Sequence, residues 1–242
     1  MSEPVEDHPS AHPNASLNAR LDDRLLADRL LAIAEELTTS VLAEMYRDPF
    51  WYARFGAPRA ARHGRQDGHF HLSYVAEALR AGDAGVMERY ARWLQQVLTT
   101  RGMCTRHLAE NFDRLGQAVA ARGVPDAARA VELLAAATAA LRYDGGPARA
   151  LQDRADAIAG GDAELLTLIS YLADAVALAR PALFADHAGW YAGFVEQRGG
   201  TRAAAGALID RLRDAVHREL PEHRETVAPA LDAAADAVRH PR

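Results

Sequence analysis

Four residues, His63, Asp67, His71 and Tyr74, recur at steps of four, four and three. On a helix that spacing sets their side chains along one stripe. Imidazole, carboxylate and phenol in one line suit three chemistries. The first is metal binding, because His-x3-Asp-x3-His supplies ligands for zinc or another transition ion. No fourth ligand accompanies them, and Gly64 and Gly68 weaken the helix that would carry them. The second is acid–base catalysis with Asp67 poising His71. No nucleophile motif, Gly-rich phosphate loop or carboxylate pair stands beside it, so an enzyme is not the expected reading. The third is binding of a flat pigment. A tetrapyrrole needs aromatic walls, cations for its propionates, and a carboxylate or histidine for its pyrrole nitrogens or metal. Residues 50–74 hold all three: Trp51 and Phe55 with their aromatic neighbours, then Arg54, Arg59, Arg62 and Arg65, then His63, Asp67, His69 and His71.

An internal comparison separates what the fold needs from what one copy alone carries. Shifted by 97, residues 72–122 fall on 169–219 without a gap. Ser73-Tyr74 meets Ser170-Tyr171, Trp93 meets Trp190, Arg101-Gly102 meets Arg198-Gly199, and Asp113-Arg114-Leu115 meets Asp210-Arg211-Leu212. The period is too long for a solenoid of helix pairs and predicts a duplicated domain. Tyr74 persists as Tyr171, which predicts a structural ring with its hydroxyl paired. His63, Asp67, His69 and His71 become Gly160, Glu164, Leu166 and Leu168. A helix that only packs has no need of a histidine at position 71, so the first copy is expected to bear the ligand and the second to be a scaffold.

Those residues must be held by helices. No segment alternates apolar and polar residues with β-branched side chains, so the chain is expected to be all-α. An apolar stripe from Leu25 to Met45 predicts one helix over residues 21–46, stopped by Asp48-Pro49. A short helix or turn follows at the aromatic cluster. Residues 54–65, broken by Gly56, Pro58 and Gly64, predict a basic connector, either a solvated loop or an anion clamp of guanidinium groups. Asp67 is expected to cap the next helix, Gly82-Asp83 to stop it, and Thr105 to cap a third. In the second copy residues 127–143 parallel the long first helix, and helices follow at 165–178, 181–197 and 202–220. A last helix over 222–238 has no counterpart and is expected to cover an exposed face. The domains expected are a disordered, acidic, Pro-rich tail (1–20), repeat 1 (21–123), and repeat 2 with the extra helix (124–242).

Composition bounds the partners. Net charge is −5, which gives no electrostatic case for nucleic acid. No run approaches the ~20 apolar residues of a membrane span, and the first residues lack the apolar core of a signal peptide, so a cytoplasmic protein is expected. The single cysteine, Cys104, excludes an internal disulfide and fits a reducing compartment. Its place at a helix start could lower the thiol pKa.

Asp67, then Tyr74-Val75, then Ala78-Leu79-x-Ala81-Gly82-Asp83 resembles the central helices of the phycobiliproteins. That family's motif is Cys-x-Arg-Asp, six residues, Tyr-Val-x-Tyr-Ala-Leu, then Ala-Gly-Asp. The likeness covers about residues 64–122. It implies globin-like helical repeats and a bilin whose pyrrole nitrogens meet Asp67. The family's chromophore cysteine falls on Gly64, its arginine on Gln66 and its second tyrosine on Glu77. A thioether at that position is therefore excluded, and the expected pigment is a non-covalent bilin such as biliverdin, with haem as the other candidate. The layout is also similar, more weakly, to helical domains beside cobalamin-binding photosensors. The expected function is a non-enzymatic, tetrapyrrole-binding sensor. The competing expectation is a ligand-free helical scaffold or homodimerisation module.

Overall fold

The computed structural model describes residues 13–240, and all of their regular structure is helical. The acidic stretch before residue 13 lies outside the described residues. The part of the expected tail that is described belongs to a helix, since α1 runs Pro13–Ala32. The single helix expected over residues 21–46 is two. Helix α2 (Ala34–Met45) follows α1 across Ile33, whose φ of −107° and ψ of 12° break the helical geometry. Leu26, Leu30 and Leu37 are fully buried on both sides of the break, so the bend keeps one apolar stripe while wrapping it around the helix beneath.

That helix is α4 (Ala57–Ala81), which follows the short aromatic α3 (Phe50–Phe55). The basic connector is therefore not a loop, and Asp67 is an interior helical residue rather than a cap. Gly56, at a φ of 77°, supplies the turn before the helix, and Pro58 sits in its first turn, where a missing N–H costs nothing. Gly64 and Gly68 do not break α4. They are where α2 presses on it: a Cβ on Gly64 would stand 2.8 Å from Leu42 Cδ2 and collide with the Tyr46 hydroxyl, and one on Gly68 would stand 2.7 Å from Thr38 Oγ1. Tertiary packing here overrides helix propensity. Tyr46 closes the contact by donating from its hydroxyl to the Ala60 carbonyl at 2.6 Å.

Gly82, left-handed at a φ of 64°, ends α4, and α5 (Gly85–Thr99) returns along it. Helix α6 (Thr105–Ala121) starts one residue earlier than expected, with Cys104 rather than Thr105 in the capping position. Helix α7 (Ala127–Ala140) then packs on α5 and α6. Its Leu133 and Leu134, with Leu141 just beyond it, belong to the same buried cluster as Leu26, Leu72 and Phe112. The first core thus extends past residue 123 and takes in the helix that the sequence assigned to the second unit.

The second core is built by α8 (Gly146–Asp153), α9 (Ala155–Ala159), α10 (Ala163–Ala177), α11 (Pro181–Gln197), α12 (Arg202–Glu219) and α13 (Arg224–Arg239). Helix α13, expected to lack a counterpart, begins 97 residues after α7. It packs on α11 and α12 as α7 packs on α5 and α6. The same offset relates two stacked pairs: Tyr74 on Tyr90 at 3.8 Å between ring centroids, and Tyr171 on His187 at 3.5 Å.

The halves meet where α3 and α6 face α10 and α11. Phe50 packs edge-on against Trp190 at 5.4 Å, and the Arg54 guanidinium lies 5.0 Å over the same indole. Beneath them is a buried polar cluster. Asp174, on α10, accepts from the Thr105 N–H and hydroxyl and from the Tyr143 hydroxyl. Ser170 Oγ accepts from the Arg106 N–H at 2.9 Å. The second half thereby satisfies the open N–H groups at the start of α6.

Candidate functional site

Two cavities flank Trp51 and Met45, which line both. The first, of about 130 Å³, lies under α3 and α4. It brings together five of the residues singled out by sequence: Trp51, Phe55, Arg59, His63 and Asp67. Arg101 and Asn111 also reach it, from the end of α5 and from α6. The Asp67 carboxylate is half-buried and accepts no hydrogen bond from a described residue. Burial raises its pKa, against the nearby charges of His63 and Arg101, which lower it. An acid in that state can receive an N–H or ammonium donor.

The other candidates lie elsewhere. His71 is not on the cavity wall. It is 1% exposed, joined through Nδ1 to the Tyr90 hydroxyl at 2.7 Å, and edge-on to Phe112 at 5.0 Å. Burial pushes its pKa down to about 3, so the ring is neutral. It is a satisfied core histidine, and Asp67 neither touches nor poises it. Tyr74 is the half-buried ring stacked on Tyr90. His69 points outward to Glu35 at 2.8 Å, and Arg65 approaches the same carboxylate at 3.6 Å. Arg62 shares that outer face. Arg54 is at the contact between the halves. The arginines therefore do not form one clamp: Arg54 is on α3, and α4 sets Arg59 at the cavity but Arg62 and Arg65 on its outer face.

The second cavity, of about 320 Å³, is the cleft between the halves. Sequence reasoning did not select its histidines. His107 on α6 lies 5.1 Å from the Trp51 ring and is held near pKa 3 by burial. His187 on α11 is 2% exposed, its pKa is also lowered by burial, and its Nδ1 has no hydrogen-bond partner. The signal lay in the internal alignment, which sets His187 on Tyr90 and Leu168 on His71.

Cys104 is buried and not activated. Burial, with the Asp174 charge, pushes its thiol up to about 12, which reverses the effect expected from a helix start. Among the described residues no group of three or more His, Cys, Asp or Glu side chains could hold a metal ion. Likewise, no described helix is long and apolar enough to cross a membrane. Compared with known proteins, the chain matches no family model, no curated protein and no solved structure at the significance required.

Proposed function

We propose that the protein binds, without chemically transforming it, a small organic molecule that presents a ring N–H or ammonium group to Asp67. The observation that carries this reading is a half-buried carboxylate without a hydrogen-bond partner inside an aromatic-walled cavity. Trp51, Phe55 and Tyr46 supply the walls, and Arg59 and Arg101 stand by for an acid on the same ligand.

The tetrapyrrole expected from the sequence pattern does not fit this cavity as it stands. Cofactor pockets run from roughly 300 Å³ upward, and a cavity of about 150 Å³ accommodates one benzene. The space beside Asp67 therefore holds about one ring. His71, the candidate axial ligand for haem, is committed to Tyr90. A bilin would enter only if Trp51 swung aside and joined the two cavities. The reading of two globin-like repeats likewise rests on helix bounds and stacked pairs that keep the 97-residue offset.

Calorimetric titration with benzylamine and, in parallel, with biliverdin tests the proposal. Benzylamine is expected to bind, and Asp67→Asn to weaken it at least tenfold. If biliverdin instead shows a shifted visible spectrum that Asp67→Asn abolishes, the one-ring limit fails and the pigment reading stands. If neither binds, the site reading fails.

A second reading, an interaction module, is favoured by apolar side chains left in water. Leu21 and Leu25 on α1 are 56% and 45% exposed, and Trp93 on α5 is 56% exposed. Light scattering across a concentration series, on native and Trp93→Glu protein, distinguishes it by a mass that rises only in the native chain.

A further inference from the structure

We propose that the cleft between the halves is a second binding site, for an uncharged planar aromatic molecule bearing one hydroxyl or ring N–H, with His187 as its hydrogen-bond partner. Nothing in this inference uses Asp67.

The argument starts from a missing partner. In the first half the ring at position 90 stacks on Tyr74 and is tied to His71. In the second half the ring at the equivalent position, His187, stacks on Tyr171 in nearly the same geometry, with ring planes 13° apart. The residue equivalent to His71 is Leu168, which offers no polar atom. The imidazole is thus held in place by stacking and left with an unpaired, buried Nδ1. Such an atom costs about 1–3 kcal/mol, and buried polar groups are nearly always satisfied. Leu168 and His187 both line the cleft, so a ligand lying against them stands where the lost partner would be.

The rest of the cleft narrows the ligand class. Phe50, Trp51, Tyr191 and Phe194 give it aromatic walls. Two of the four rim acids are matched, Glu110 with Arg106 at 2.8 Å and Glu44 with Arg114 at 3.6 Å, while Asp48 and Glu164 also line the cleft without an arginine partner among the described residues. The net negative rim disfavours an anion, and the unsatisfied atom inside, His187 Nδ1, is met by a neutral hydrogen-bonding group. At about 320 Å³ the space suits two or three fused rings rather than one.

The test uses 2-naphthol and naphthalene, which differ by one hydroxyl, in equilibrium dialysis against the full chain. Native protein should bind 2-naphthol about tenfold more tightly than naphthalene. His187→Phe keeps the stack on Tyr171 and should bind both alike, with naphthalene affinity unchanged, which also reports that the cleft is still folded. Asp67→Asn should leave both affinities as in the native protein, which separates this site from the Asp67 cavity. The proposal is overturned if neither probe binds, or if the preference for 2-naphthol survives in His187→Phe. Loss of the preference in Asp67→Asn also overturns it.

Discussion

The Asp174 carboxylate, on α10 of the second half, accepts both the backbone N–H of Thr105 at 2.8 Å and its hydroxyl at 2.6 Å. Thr105 opens α6 in the first half, so one side chain caps a helix across the boundary between two hydrophobic cores. Tyr143 adds a third hydrogen bond at 2.7 Å, and Gln95 donates to the Thr105 hydroxyl at 2.9 Å. These bonds favour the ionised acid, yet burial outweighs them and raises its pKa to about 6.

Asp174→Ala should therefore be costly. It strands one N–H and two hydroxyls in a dry site, and at about 1–3 kcal/mol per group the loss should exceed about 3 kcal/mol. Asp174→Asn keeps an acceptor and should cost less. The pH dependence carries a definite sign. The folded pKa lies above the unfolded value of about 3.9. The contribution is then full below about pH 4 and is lost as pH rises through 6, to the extent of roughly 3 kcal/mol. Asp174→Asn lacks that term. Urea denaturation from pH 4 to 7 should show its stability falling more steeply on acidification than that of the native chain.

Acidification works the other way through the histidines. His71 and His107 have folded pKa values near 3, below the unfolded value of about 6.5. Each contributes stability that is present above pH 6.5 and is lost as pH falls, by roughly 3 kcal/mol at pH 4. The His71–Tyr90 pair separates this effect from packing. Tyr90→Phe alone leaves a buried imidazole nitrogen without a partner and should cost about 1–2 kcal/mol. His71→Leu alone strands the tyrosine hydroxyl. The double variant His71→Leu/Tyr90→Phe should be less destabilised than the sum of the two, and its stability should change less between pH 6.5 and 4. A strictly additive cycle would contradict the pairing.

Much of the architecture is legible in the chain, because apolar residues at helical spacing mark the stripes that become the two cores. What misleads is punctuation. Gly56, Pro58 and Gly64 read as a broken connector and Gly68 as a weak point in the helix after it, yet only Gly56 turns the chain, while Gly64 and Gly68 are the close approach of two helices. A single sequence does not show which neighbour fills the space beside a glycine. The candidate site was partly legible: Asp67, His63, Arg59, Trp51 and Phe55 do converge. His71 was misread because a histidine on a helix flank and a histidine buried against Tyr90 have the same spacing. Asp174 left a mark, an acid among the alanines, leucine and valine of the last turns of α10, but its partner, Thr105, lies 69 residues away.

The glycines give the sharpest test of that distinction, because propensity and packing predict opposite signs. In a helix interior glycine to alanine is worth roughly 0.5–1 kcal/mol of added stability where the new methyl meets nothing. Gly193, inside α11, is such a site, with no atom within 4 Å of its would-be Cβ. Gly193→Ala should raise stability by that amount. Gly64→Ala and Gly68→Ala should lower it, by about 1–3 kcal/mol, since overpacking forces α2 off α4. At Gly68 the obstacle is the Thr38 side chain, whose hydroxyl has no hydrogen-bond partner to lose. Thr38→Ala should therefore restore much of the stability of Gly68→Ala and little of that of Gly64→Ala. Thermal melts of the five variants read the outcome directly. A stabilised Gly68→Ala would mean that α2 and α4 do not cross at this glycine.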